Sequence, residues 1–250
     1  MKIELWVAIV TGLVALTTAA GTILSSIRIS DRSAKNAKDI EQLKIENERT
    51  KVADEQQKEM SNYIEPLARS CYDLQSRLYN ILKRQLIQVY FLNGNDREKA
   101  YVINNTTFLV GQYLCWTEIV RREIQFIDLG ESDRTRDLLC LQDAISNTWG
   151  TDEFSPSFRL FAGEQRAIGE ALITTSARGQ ECMGYGAFLR VFAEGVNPLI
   201  DSIRADVAAL SCNFKEATSR LTILQNKLID LLTRLDQKHI RFPKNRTTKV

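Results

Sequence analysis

The chain has 250 residues, 44% hydrophobic and 26% charged, with a formal net charge of +2. That apolar content and near-balanced charge exclude a disordered chain and a histone-like nucleic-acid binder, while 12 Gly and 4 Pro exclude collagen-like or low-complexity architecture. A lone His, His239, removes most zinc sites and most His-based catalysis.

Residues 5–27 are 23 consecutive uncharged residues, LWVAIVTGLVALTTAAGTILSSI. A helix needs about 20 mostly apolar residues to cross a bilayer core, so one transmembrane span is expected, with Trp6 at the interface. Lys2 precedes the run, whereas Arg28, Arg32, Lys35 and Lys38 follow it. The positive-inside rule then puts the N-terminus outside and the rest of the chain in the cytoplasm. A cleaved signal peptide ending near Thr18-Ala19-Ala20 is the first rival; the length of the run and its basic flank oppose it. A buried soluble helix is the second. Ala8, Gly12, Ala15, Ala19, Thr22 and Ser26 recur at spacings of 4, 3, 4, 3 and 4. Such a stripe of small residues lets membrane helices associate closely, although these residues are common in any membrane helix.

Residues 31–62 carry 15 charged side chains of both signs. Their apolar residues hold a 3–4 spacing for barely two heptads, short of the three or four a coiled coil needs. A charged helical stalk or weak coiled coil is expected. With only Pro66 between Gly21 and Gly94 to break it, the whole stretch reads as long helix.

Residues 63–239 are large enough for their own core, and their pattern is helical. Leu67, Cys71, Leu74, Leu78 and Ile81 repeat at 4, 3, 4, 3, with Leu86 and Tyr90 extending the face. Asn93-Gly94-Asn95-Asp96 separates this helix from the next, over 98–126, which is apolar nearly all round and so expected at the centre of a bundle. Asp133 is placed to cap a helix over Leu138, Leu139, Leu141 and Ile145. The Gly-rich stretch 158–196 predicts two short helices with turns and a short strand at 158–161. Asn197-Pro198 reads as a cap with Pro at the first helical position, and Asn213 with Glu216 has capping-box spacing. The last helix carries Ala217, Leu221, Leu224, Leu228, Leu231 and Leu235; with 198–211 it is expected to form an antiparallel pair. Residues 240–250 hold Arg241, Lys244, Arg246 and Lys249 without an acid, a solvated basic tail that offers weak contact to anionic lipid or nucleic acid.

Cys71, Cys115, Cys140, Cys182 and Cys212 are far apart, and four fall in apolar helical patterns, which predicts buried free thiols in a reducing compartment. No metal site or cofactor is expected. Glu118, Arg121, Arg122 and Glu123 read as ion pairs within the bundle, and Glu164, Arg166 and Glu170 as surface charges or the lining of a groove. Arg234-Leu-Asp-Gln-Lys-His239 resembles the R-x4-H motif of the HEPN ribonuclease families, helical dimers that set an Arg and a His at the scissile phosphate. The resemblance implies Arg234 and His239 as catalytic residues; the residue after the Arg is usually polar there and is Leu235 here. The plain alternative is a His in the last turn of a helix, favoured by the helix dipole.

The expectation is an all-α, single-pass protein: anchor 1–30, stalk 31–62, cytoplasmic bundle 63–239 and tail 240–250. Its role is that of a self-associating interaction or scaffolding module for a cytoplasmic protein partner. A membrane-tethered HEPN-like ribonuclease and a small oligomeric pore are the alternatives.

Overall fold

The computed structural model describes residues 2–124, 132–177, 179–193, 195–236 and 240–250, without the side chains of 2–11, 15, 17, 20, 24, 27–31, 34, 53–61, 124 and 132–135. The fold is mostly helical, as the periodicity predicts, and one small hairpin interrupts it. Two compact units divide the chain, Met1–Glu55 and Gln56–Val250.

The first unit is helix α1 (Lys2–Lys83), whose later turns open the second unit. Every described side chain of residues 12–52 is exposed. Among the described residues no helix is long and apolar enough to cross a membrane; the run expected to do so, 5–27, falls for the most part on side chains outside that set. Ile40, Leu43, Ile45 and Val52 of the stalk are 46–59% exposed.

In the second unit α1 buries Leu67, Cys71, Leu74, Leu78 and Ile81 completely or nearly so, the face its spacing predicts. The expected continuation to Tyr90 fails. α1 stops at Lys83, Gln85 takes a left-handed φ of 54°, and a π-helix follows at Ile87–Leu92 with Tyr90 exposed. Gly94 closes this turn because a Cβ there would lie 2.1 Å from the Tyr90 carbonyl oxygen.

Helix α2 (Asp96–Ile124) starts with a reciprocal cap. The Glu98 N–H donates to Asn95 Oδ1 (3.0 Å) and the Asn95 N–H to Glu98 Oε2 (2.8 Å). α2 is the central helix, as its all-round apolar surface predicts. Packed on it are the π-helix, α4 (Ala162–Ala171), strand β2 (Gly179–Cys182), α5 (Tyr185–Val191) and α6 (Pro198–Ala209). Gly169 lets α4 lie directly on α2, since a Cβ there would sit 2.6 Å from the Leu114 carbonyl oxygen.

Helix α3 (Ser132–Gly150) packs on α7 (Phe214–Leu235). The side chain of Asp133, the expected cap, lies outside the described set. The strand expected at 158–161 is absent: Phe158 has a φ of 57° in an irregular segment. Instead β1 (Ile173–Ser176) pairs antiparallel with β2, Ile173 opposite Cys182, and the chain turns at Gly179 with a φ of 110°. Two short helices, α4 and α5, flank it as expected.

The Asn197 cap forms as read, its Oδ1 accepting from the Leu199 and Ile200 N–H groups with Pro198 in the first turn. The Asn213–Glu216 box does not form; the Asn213 side chain makes no capping bond. Nor do α6 and α7 form the expected pair. α6 packs chiefly on α2 and α7 on α3, because α6 also presents Ile200, Ile203 and Val207 to the centre of the bundle.

The tail is not free in solvent. Phe242 is buried and stacks on Tyr72, with ring centroids 4.8 Å apart, and the Arg69 guanidinium lies over the Phe242 ring at 5.3 Å from its centroid. The Asp236 carboxylate, just past α7, accepts from the N–H groups of Ile240, Arg241 and Phe242, each at 3.0 Å. An aromatic anchor and three main-chain bonds outweigh the charges that suggested a solvated segment.

Arg220 on α7 is fully buried. Its Nε donates to the carbonyl of Ser157 (3.1 Å), Nη1 to Thr148 (2.6 Å) and Trp149 (2.8 Å), and Nη2 to Thr151 (2.9 Å) and Ser155 (3.0 Å). All five N–H groups of a guanidinium are thus spent on main chain. Phe154 covers the guanidinium at 5.5 Å. Asp206 on α6 accepts the Phe158 N–H at 3.1 Å and holds that residue in its left-handed conformation. Burial lowers the Arg220 pKa, and the nearby Asp206 opposes this. Replacing Arg220 by Met strands five carbonyls, and a loss of about 3–5 kcal/mol is expected in urea denaturation. Arg220→Lys keeps the charge but not the fork, and should lose less while remaining well below wild type.

Candidate functional site

The close approach of α4 to α2 at Gly169 leaves a cleft of about 140 Å³ where α3 crosses them. Helical spacing brings its polar groups together. α2 supplies Thr117, Glu118 and Arg121; α3 supplies Gln142, Asp143, Ser146 and Trp149; α4 supplies Gln165 and Arg166. Tyr113, Leu114 and Leu139 add apolar wall.

Glu118 is 2% exposed and fully engaged. Its Oε1 accepts from Arg121 Nη2 (2.6 Å) and Arg122 Nε (2.7 Å), and its Oε2 from Arg121 Nε (2.8 Å). Arg122 reaches on to Glu170 Oε1 at 2.5 Å. These are the ion pairs expected within the bundle. Burial pushes the Glu118 carboxyl up, but the hydrogen bonds from Arg121 and Arg122 outweigh it and hold the group below its ordinary value.

Deeper in, the Ser146 hydroxyl donates to Gln165 Oε1 (2.8 Å), and Gln165 Nε2 donates to the carbonyls of Ser146 (3.0 Å) and Leu160 (2.8 Å). Trp149 Nε1 and Gln142 Nε2 are buried with no hydrogen-bond partner among the described residues. The cleft therefore sets these N–H donors and the guanidinium groups of Arg121 and Arg166 beside the carboxylates of Glu118 and Asp143. Its serine is committed to an amide rather than to a base, which is not the arrangement of an activated nucleophile. Of the three residues read as surface or groove charges, Arg166 lines the cleft, Glu164 accepts the Phe161 N–H at 2.8 Å, and Glu170 joins the Arg122 pair. Among the described residues no cluster of His, Cys, Asp or Glu has metal-holding geometry.

The sequence candidates are scattered. Arg234 Nη2 lies 3.0 Å from Asp137 Oδ2 of α3, and α7 ends at Leu235, one residue later. His239 lies outside the described residues. Of the small-residue stripe, Gly12, Ala19, Thr22 and Ser26 are exposed on α1, while the side chains of Ala8 and Ala15 lie outside the described set. Cys71 and Cys115 are buried free thiols, as expected, and Cys182 is half-buried; Cys140 and Cys212 are exposed, against expectation, because Cys140 lies on the outer face of α3 and Cys212 in the turn between α6 and α7. The Cys71 thiol donates to the Leu228 carbonyl oxygen at 3.4 Å, and burial raises its pKa.

Gln142, Trp149 and Gln165 were missed by sequence reading. The signal was present in α3, where Gln142, Ser146 and Trp149 follow a 4, 3 spacing beside the apolar stripe, but nothing local tells which helix they face. Comparison with protein-family models, curated proteins and solved structures finds no match.

A carboxyl held below its ordinary value stabilises the fold above that value and loses the contribution as pH falls through the folded one. Glu118→Gln should therefore be less stable than wild type at neutral pH, and the gap should narrow below the ordinary Glu value of 4.5. Denaturation midpoints at pH 7 and at about pH 3.5 measure the two gaps.

Proposed function

We propose that the chain is a single-pass membrane-anchored interaction or scaffolding protein. Its N-terminal helix lies in the bilayer, and its bundle presents a protein-binding surface on the cytoplasmic side. The observation that carries this reading is the state of the uncharged run. Leu13, Val14, Leu16 and Ile23 are 56–71% exposed, and full removal of each such side chain from water is worth about 1.5–3 kcal/mol. A helix left so bare calls for a cover, and 23 uncharged residues match the length of a bilayer core.

The polar atoms of the run agree with a lipid setting. Thr18 donates to the Val14 carbonyl (2.8 Å), Thr22 to those of Thr18 and Ala19 (3.0 and 2.9 Å), Ser25 to Thr22 (2.9 Å) and Ser26 to Ile23 (2.8 Å). Every described hydroxyl between residues 12 and 26 is thereby satisfied within the helix, which is what hydrocarbon demands of a polar group. The charges of residues 28–38 support the cytoplasmic orientation. Beyond the anchor, the exposed charged helix serves as a spacer, and the small-residue stripe of residues 8–26 supports self-association within the membrane.

The test is alkaline carbonate extraction of membranes from cells making the full chain, with protease protection of a tag after Val250. The chain is expected to stay in the membrane pellet, a chain lacking residues 1–30 to be soluble, and the tag to be digested only after permeabilisation. Release of the full chain by carbonate, or digestion of the tag on intact cells, would overturn the reading.

A further inference from the structure

The anchoring role makes no use of the cleft between α2, α3 and α4, where two side chains are left incomplete. Trp149 is 1% exposed and Gln142 is 8% exposed, and both line the cleft. Trp149 Nε1 and Gln142 Nε2 are buried without a hydrogen-bond partner among the described residues. A donor buried without an acceptor is costly, and native folds keep few of them. The neighbouring amide shows the contrast. Gln165 accepts from the Ser146 hydroxyl and donates to the carbonyls of Ser146 and Leu160, so its polar atoms are spent. Residues 142 and 149 lie two turns apart along α3, which puts both incomplete side chains on the same face of that helix.

The rest of the lining limits what can meet them. Glu118 and Arg121 pair with each other (2.6 Å), and Asp143 and Arg166, both exposed, add one charge of each sign at the mouth. The lining therefore carries no net charge to draw an ion. Tyr113 and Leu114 are 1% and 4% exposed and give the cleft an apolar wall. Its volume is about 140 Å³, close to the roughly 150 Å³ of a cavity that accepts one benzene ring.

We infer that this cleft binds a small uncharged carboxamide, a flat molecule of about one ring whose carbonyl oxygen accepts from the N–H groups of Trp149 and Gln142 and whose own N–H faces the Asp143 carboxylate. The carbonyl supplies the acceptor that the buried donors lack. The amide N–H answers a lining in which a carboxylate stands next to those donors, since Asp143 follows Gln142 on α3. The ring covers the apolar wall of Tyr113 and Leu114, which water, the competing occupant, would leave wet.

The test uses the full chain in mild detergent, isotope-labelled at its tryptophan nitrogens, and three probes of matched size: benzamide, acetophenone and benzoate, compared at equal free concentration. The indole N–H resonances come from Trp6, Trp116 and Trp149 and are assigned from Trp6→Phe and Trp116→Phe. Benzamide is expected to shift the Trp149 resonance with a Kd on the order of 1 mM or below. Acetophenone keeps the carbonyl but lacks the N–H, and benzoate brings a charge; both should bind at least about fivefold more weakly. Gln142→Met keeps the side-chain length and removes a donor, and should weaken benzamide at least about fivefold. Ala162→Phe adds bulk at an exposed lining position, and should abolish the Trp149 shift while the fold, followed by melting, stays intact. A Trp149 resonance unmoved by benzamide would show that water alone fills the cleft, and would overturn the inference. So would acetophenone or benzoate binding as tightly as benzamide, or undiminished benzamide binding by either folded variant.

Discussion

The second unit depends on a buried guanidinium. Irregular chain between helices carries N–H and C=O groups with no ladder to join, and burying them unpaired costs more than packing returns. Residues 148–157 lie against the bundle with carbonyls turned inward, and Arg220 answers five of them from a single side chain. The charge is deep, and no carboxylate forms an ion pair with it among the described residues; the converging carbonyl dipoles take that role, with Asp206 on the neighbouring helix adding its field. Because this cluster sets where the segment after α3 goes, it also sets where α4 begins and therefore the cleft that α4 closes against α2.

Helix α7 is the organiser on which these contacts converge. Besides Arg220 it carries Gln225 and Asn226, which hold the tail, and Lys227, whose Nζ donates to the Ala144 carbonyl (2.9 Å) and the Thr148 hydroxyl (2.8 Å) on α3. Asp236 follows at its end with three main-chain N–H groups. The helix thus works twice. Its leucines join the apolar core, and its long polar side chains act as a substitute backbone partner for whichever neighbouring segment is not helical.

This division explains which parts of the fold the sequence revealed. The apolar half is a local, periodic signal: the 4, 3 spacing over Leu67–Ile81 and Ala217–Leu235 picks out the buried faces correctly, and the Asn197-Pro198 cap is local too. The polar half is not periodic. Arg220 and Gln225 fall within an otherwise ordinary amphipathic helix, and their burial is decided by carbonyls 63 to 72 residues earlier and by a tail 23 to 25 residues later. The same holds for the break at Gln85, where a left-handed residue and the Tyr90–Gly94 approach end a pattern that continues in the leucines. Of the cleft, Glu118 and its arginines were legible because i, i+3 and i, i+4 pairs are local. Trp149, Gln142 and Gln165 were not, since their meeting needs three helices in place.

The two main-chain-reading clusters differ in one respect that sets their behaviour. Opening the Arg220 cluster exposes no water to a 0%-exposed charge until the helix itself moves away, so it opens only with the fold. The tail cluster is buried at Gln75 and Gln225 and reaches solvent at Asn226. Asn226 and the Val250 that it holds are both half-buried, so water can replace that pair of bonds more easily than those of the buried amides. Neutral hydrogen bonds that exchange with water contribute only about 0.5–1.5 kcal/mol apiece. One helix, α7, therefore answers main chain in two ways, with a charged fork that takes five carbonyls and with neutral amides that take the tail.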